Sequence, residues 1–232
     1  MNSYRGYKRG TKNKKQKHPK SRNRRKIVLR RRMIKAGFII LILLTIFIIV
    51  FLFLKNRKNY VDVDAEKPEI DVQLLDVNPY SRPGIESEGV RGVVIHYTAN
   101  PGSTAQNNRD YFNGLQDSHE TEASSNFVVG LDGEIIQCVP TWEIAYASNE
   151  RNSDTVSIEV CHPDESGKFT KETYKSLVQL TAWLCKKFDL TEEEVIRHYD
   201  VTGKNCPKYF VENEKAWEQF KGNVRYALER SK

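Results

Sequence analysis

The first 35 residues contain no acidic side chain, although 16 of them are Lys or Arg. From Ala36 to Leu54 there is no charge of either sign. The four cysteines form no Cys-x-x-C pair, no His-x-x-x-H pair occurs, and no internal repeat is visible. Each absence excludes something. A polar leader carrying only basic charge buries no core, so residues 1–35 are expected to be disordered. The missing Cys and His pairs exclude a closed, four-ligand structural zinc site. The uncharged run is 19 residues long, roughly 28 Å as a helix, and matches a bilayer core of about 30 Å.

That run ends in Leu54-Lys55-Asn56-Arg57-Lys58 rather than in a small-residue cleavage site, so it reads as a retained transmembrane helix over 36–54. Basic residues favour the cytoplasmic side, which places the N-terminus inside and the remainder outside. The leader's expected partner is anionic membrane lipid. Nucleic acid is not expected, because no aromatic platform accompanies the charge.

Beyond the run the charge reverses. Residues 59–232 carry 18 basic and 30 acidic side chains, a net of −12. Residues 55–87, with Pro68, Pro79 and Pro83, read as an extracytoplasmic linker, and Val72, Leu74 and Leu75 are candidates to pack as an N-terminal extension of a domain over 88–232. Strand and helix signals alternate through that domain. Val93-Val94-Ile95 is a buried strand, and Ala105 to Leu115 a short helix. Ser125 to Val129 and Ile135 to Val139 form a hairpin around Asp132-Gly133. Val156 to Val160 and Val195 to Arg197 are further strands. Phe169 to Asp189, with Thr170 as N-cap, and Glu214 to Arg230 are amphipathic helices. This is a layered α/β domain.

The chemistry gathers in Arg197-His198-Tyr199-Asp200-Val201-Thr202-Gly203-Lys204-Asn205-Cys206-Pro207. One imidazole and one thiolate on a short loop make half a zinc site. They make sense if a third ligand comes from elsewhere and a fourth position stays open, the pattern of catalytic zinc. His96, where the Val93-Val94-Ile95 strand gives way to a polar loop, is the candidate third ligand. Glu159 sits within the otherwise apolar Val156 to Val160 strand, where a carboxylate needs a reason.

With these residues in their order, the chain resembles the zinc-dependent N-acetylmuramoyl-L-alanine amidases of the type-2 family. Their fold is shared with peptidoglycan recognition proteins and phage T7 lysozyme. The resemblance covers roughly residues 88–215 and rests on Val94-Ile95-His96-Tyr97-Thr98, Ala123-Ser124-Ser125-Asn126-Phe127-Val128-Val129, Asp132-Gly133-Glu134-Ile135, Ser157-Ile158-Glu159-Val160 and the His198–Cys206 stretch. It implies a central mixed β-sheet flanked by helices, with zinc held by His96, His198 and Cys206. It implies Glu159 as general base and Lys204 as stabiliser of the oxyanion. The implied reaction is hydrolysis of the amide between muramic acid and L-alanine in peptidoglycan; the uncharged run would anchor the enzyme to the membrane, and a monomer is expected. A non-catalytic wall-binding receptor is the alternative; such relatives typically lose a zinc ligand, notably the cysteine, and Cys206 is present.

The sequence departs from the family in places. Ser125 stands where T7 lysozyme and many recognition proteins carry a tyrosine, Asn126 where many carry histidine, and Ser157 at a common glycine. Asn126, Tyr97 and His162 are candidate substrate contacts. His119 and His18 are not expected to bind metal, and Asp200 is expected to orient its loop. Cys138, Cys161 and Cys185 are expected to be buried free thiols.

Overall fold

The Val93-Val94-Ile95 run has no polar face, as expected of a strand covered on both sides. In the computed structural model, which describes residues 20–55 and 60–231, it becomes β2 (Gly92–Ile95), with Val93, Val94 and Ile95 fully buried. It lies inside a six-stranded sheet with β1 (Asp71–Val72), β3 (Phe127–Val129), β4 (Ile135–Gln137), β5 (Thr155–Val160) and β6 (Val195–Arg197). The order is β1-β4-β3-β5-β2-β6. Only β3 and β4 pair antiparallel, through the turn in which Gly133 takes the φ of +86° that favours glycine. The remaining pairs are parallel, so the sheet is mixed, as expected.

Side chains alternate across the sheet and split the core in two. Phe127, Val129, Ile158 and Val160 enter one apolar cluster with Leu177, Leu180 and Leu184 of α3 (Lys171–Lys187) and Trp217, Phe220 and Val224 of α6 (Glu214–Glu229). Val128 and Ile136 enter a second, smaller cluster with Ala105 and Phe112 of α2 (Ala105–Ser118). Thr170 caps α3 by accepting from Thr173 N, and Thr104 and Asn107 form a capping box on α2. The first cluster is large and its members are buried. The second covers only part of its face, and Glu159 belongs to that face, opposite Val128 in register.

Two sequence expectations are corrected. The chain divides into two units, the second beginning at Tyr60 rather than near residue 88. Val63, Ala65 and Leu75 are buried, β1 pairs with β4, and Tyr60 stacks on Tyr226 at 4.6 Å. Enough apolar surface lies in this stretch to bind it to the fold, so from Tyr60 onward it is not a linker. Of its candidate packing residues Leu75 is buried, whereas Val72 and Leu74 remain exposed. The second correction concerns the leader. Residues from Lys20 belong to one helix, α1 (Lys20–Lys55), where disorder was expected to residue 35. Lys and Arg are good helix formers, and no Gly or Pro interrupts the sequence from Lys20 to Ala36. Residues 1–19, including His18, lie outside the described residues. Within α1, Arg24 to Ile49 includes a stretch long and apolar enough to cross a membrane.

Candidate metal centre and active site

Three neighbouring parallel strands end at one place. His96 directly follows β2, His198 directly follows β6, and Glu159 is the penultimate residue of β5. Parallel pairing aligns carboxyl ends, where open α/β sheets hold their ligands. His198 sits on the first residue of a helical turn, α4 (His198–Thr202), rather than on a loop. Arg197 fixes that turn. Its backbone N–H and guanidinium both donate to Asp200, and the guanidinium also donates to Glu214 and to the carbonyl of Phe210. Asp200 thus orients α4. Past Gly203 the chain doubles back, and Tyr199 N donates to the Cys206 carbonyl at 2.8 Å, which returns the thiol to the imidazole.

One ligand atom each from His96, His198 and Cys206 lies within 4.8 Å of the others, and all three residues are buried. The His96 and His198 rings stand 4.6 Å apart, and Cys206 Sγ is 3.9 Å from His96 Nδ1. Glu159 Oε1 is 4.0 Å from the same nitrogen, while Oε2 is buried without a hydrogen-bond partner among the described residues. A buried carboxylate oxygen without a donor is costly in protein alone, and it suits a neighbour that brings positive charge or a water.

Burial holds His96 well below the usual imidazole range, with His198 and Lys204 adding to the effect. Burial and then Lys204 lower His198, against Glu150. The same desolvation pushes the Cys206 thiol to about 12, with Glu159 raising it further, and Glu159 itself to about 8, with Lys204 opposing. Desolvation thus favours the uncharged form of all four groups. Two imidazoles with free lone pairs and one thiol that can ionise form a donor set that fits zinc, with room for a fourth ligand.

The centre opens into a cleft of about 430 Å³, whose walls include Tyr97, Thr98, Phe112, Tyr146, Asn149 and Lys204. Glu159 and all three candidate ligands line it too. Tyr97 is thus at the cleft, and His162 packs against it with ring centroids 5.1 Å apart, itself buried and with Nε2 unpartnered among the described residues. Asn126 is elsewhere. Its amide accepts from Ser157 N at 2.9 Å and donates to the Pro140 carbonyl at 3.0 Å, and Ser125 joins the same buried network through Ser157 Oγ. The polar atoms of Asn126, a candidate substrate contact, are thus engaged by the framework. His119 stacks on Tyr80 outside the centre. Cys138, Cys161 and Cys185 are free and buried.

Sequence reading passed over Tyr146, Ser148 and Asn149. Ser148 accepts from or donates to His96 Nε2 at 3.1 Å, and Asn149 Oδ1 accepts from His198 Nε2 at 3.0 Å. These residues sit in ordinary polar or apolar stretches with no spacing that marks them.

The chain is 36% identical over 163 residues to the N-acetylmuramoyl-L-alanine amidase CwlL of Bacillus licheniformis, covering 65% of this chain and 45% of the relative. It is 33% identical over 172 residues to the amidase BlyA of Bacillus subtilis strain 168, covering 65% and 45%. It thus spans less than half the length of the curated relatives it matches. Among solved structures, PlyL superposes with a TM-score of 0.59 at 23% identity, over 69% of this chain and 99% of the other. A mutant endolysin from Bacillus subtilis gives 0.58 at 23%, over 68% and 99%. Those two likenesses establish the shared fold. Residues 86–209 match the model of the N-acetylmuramoyl-L-alanine amidase family, more than half of the chain, and the protein belongs to that family.

Proposed function

We propose that this protein hydrolyses the amide between N-acetylmuramic acid and the L-alanine of the peptidoglycan stem, using zinc held by His96, His198 and Cys206. The observation that carries this reading is the meeting of those three donors beside a buried, unpartnered Glu159 oxygen at the base of an open cleft. Zinc bound there supplies Lewis-acid polarisation and acidifies water at neutral pH. The Glu159 carboxylate takes one proton from the attacking water as the new C–O bond forms at the lactyl carbonyl. It gives that proton to the alanine nitrogen as the C–N bond breaks, leaving a carboxylic acid and a free amine. The Lys204 ammonium, at the cleft wall, stabilises negative charge on the carbonyl oxygen. Tyr97, backed by His162, is a substrate-facing surface.

We further propose that α1 is a retained anchor that holds the N-terminus in the cytoplasm and the domain from Tyr60 outside, with lipid as the leader's partner. The supporting observations are the charge-free run from Ala36 to Leu54 and the one-sided basic flank. The domain acts as a monomer.

The test is release of new amino ends from purified peptidoglycan by residues 60–232 with zinc added. Expected is release that a chelator stops, zinc restores and Glu159→Gln lacks. Binding to the wall without release would favour a receptor instead. Recovery of membrane-bound protein still carrying residues 1–54 supports the anchor, and recovery of a soluble chain lacking them overturns it.

A further inference from the structure

Both imidazoles at the centre are gripped from behind by two consecutive residues of a turn that contributes no ligand. His96 Nε2 meets Ser148 Oγ at 3.1 Å, and His198 Nε2 meets Asn149 Oδ1 at 3.0 Å. An amide oxygen only accepts, so His198 Nε2 is the protonated nitrogen and Nδ1 carries the free lone pair. His96 Nδ1 is the nitrogen that faces Cys206 and Glu159, so with a metal on Nδ1 the far nitrogen, Nε2, is left to donate to the Ser148 hydroxyl. One turn thereby holds the far nitrogens of two histidines that follow different strands, leaving both Nδ1 atoms toward the centre.

The turn is built to hold that position. The Asn152 side chain accepts from both Ala147 N and Ser148 N, at 3.1 and 2.5 Å. Arg151 N donates to the Ser148 carbonyl at 3.0 Å, and Arg151 pairs with Asp154 at 2.7 Å just before β5. Ser148 is 1% exposed. Asn149 adopts φ +52°, a left-handed conformation that asparagine tolerates better than most residues.

We propose that Ser148 and Asn149 are positioning residues for the metal centre: together they orient His96 and His198 so that both Nδ1 atoms face one zinc ion. This deepens the proposed zinc reading and rests on it. Hydrogen bonds to the far nitrogen of a metal-ligating histidine fix ring and tautomer, and their loss typically costs about 10- to 100-fold in metal affinity.

The experiment measures zinc affinity of the full-length protein in detergent, by competition with a chromophoric chelator, and the melting temperature of the chelated protein. Asn149→Gly removes the amide while keeping the left-handed turn, and Ser148→Ala removes the hydroxyl. Each is expected to weaken zinc binding roughly 10- to 100-fold while the chelated protein melts within a few degrees of the parent. Asn149→Asp, which restores an acceptor, is expected to recover most of the loss. Cobalt-loaded variants should show altered visible bands, which a merely structural role would not produce. Affinities within about twofold of the parent for both variants overturn the proposal. So does a loss of affinity that Asn149→Asp leaves unrescued. If the parent binds no stoichiometric zinc, or His198→Ala binds it equally well, the zinc reading itself fails, and the two failures are thus told apart.

Discussion

The two faces of the sheet use the same strands to opposite ends. On one, Ile158 and Val160 of β5 are sealed under α3 and α6, with Phe220, Leu180 and Leu184 fully buried. On the other, Ser157 and Glu159 of the same strand meet a polar network and an open cleft beside α2. The first face carries the folding energy. The second leaves a carboxylate, two imidazoles and a thiol incompletely satisfied, and the chemistry sits there. A strand only six residues long serves both because its side chains alternate.

Substitutions that separate the faces test this division. The largest effect belongs to the open face: Glu159→Gln is expected to lower amide hydrolysis by about 10²- to 10⁴-fold, read as amino-end release, with zinc still bound. A loss of fold in that variant would contradict the division. Next comes the sealed face. Phe220→Ala removes a fully buried ring and should cost about 3–5 kcal/mol in denaturant unfolding. Zinc affinity should persist under conditions where the variant remains folded.

The third effect is pH dependence. In the chelated protein burial keeps the Glu159 proton on to about pH 8, whereas the unfolded chain releases it near the ordinary value of 4.5. Unfolding therefore releases a proton in that window, and stability falls as pH rises. His96 and His198, both lowered, act the other way, but only below about their ordinary value of 6.5. Between pH 6.5 and 8 the decline is thus Glu159's own, and Glu159→Gln should flatten it in thermal melts at stepped pH. Zinc uptake at pH 7 should release a proton from the Cys206 thiol, whose own value lies at about 12, and a second from Glu159, which the proposed reaction needs as a carboxylate. Calorimetry in buffers of different ionisation heat counts those protons, and Glu159→Gln should release one fewer.

The smallest effect tests the stretch that sequence reading took for a linker. Arg82 clamps Glu143 with two hydrogen bonds of 2.8 Å and donates to the Leu75 carbonyl. Arg82→Ala strands a largely buried carboxylate and should cost about 1–3 kcal/mol, with little change in zinc affinity. A neutral outcome would mean that this segment adds nothing to the fold.

Much of this was legible in residue order. Runs such as Val93-Val94-Ile95, the Asp132-Gly133 turn and the three- and four-residue spacing of Leu177, Leu180 and Leu184 announce strand, hairpin and helix, because local periodicity reports which face is buried. His96, Glu159, His198, Lys204 and Cys206 stood out because reactive groups in those settings are unusual. The framework bonds of Asn126 to Ser157 and the Pro140 carbonyl were not legible, since a buried amide looks the same in sequence whether it faces a substrate or a backbone carbonyl. The packing of residues from Tyr60 was missed because its partners lie far along the chain; Val61 N, for example, donates to the side chain of Asn223.

The amino-acid sequence alone determined the element types, the charge segregation, the uncharged run and the identities of the reactive groups, all of which depend on neighbours a few residues apart. Only the tertiary structure decided that β5, β2 and β6 end side by side. It alone set Ser148 and Asn149 behind the two imidazoles and left one face of the sheet partly uncovered. Those outcomes come from contacts between segments about 50 to 110 residues apart, and no local pattern encodes where such segments meet.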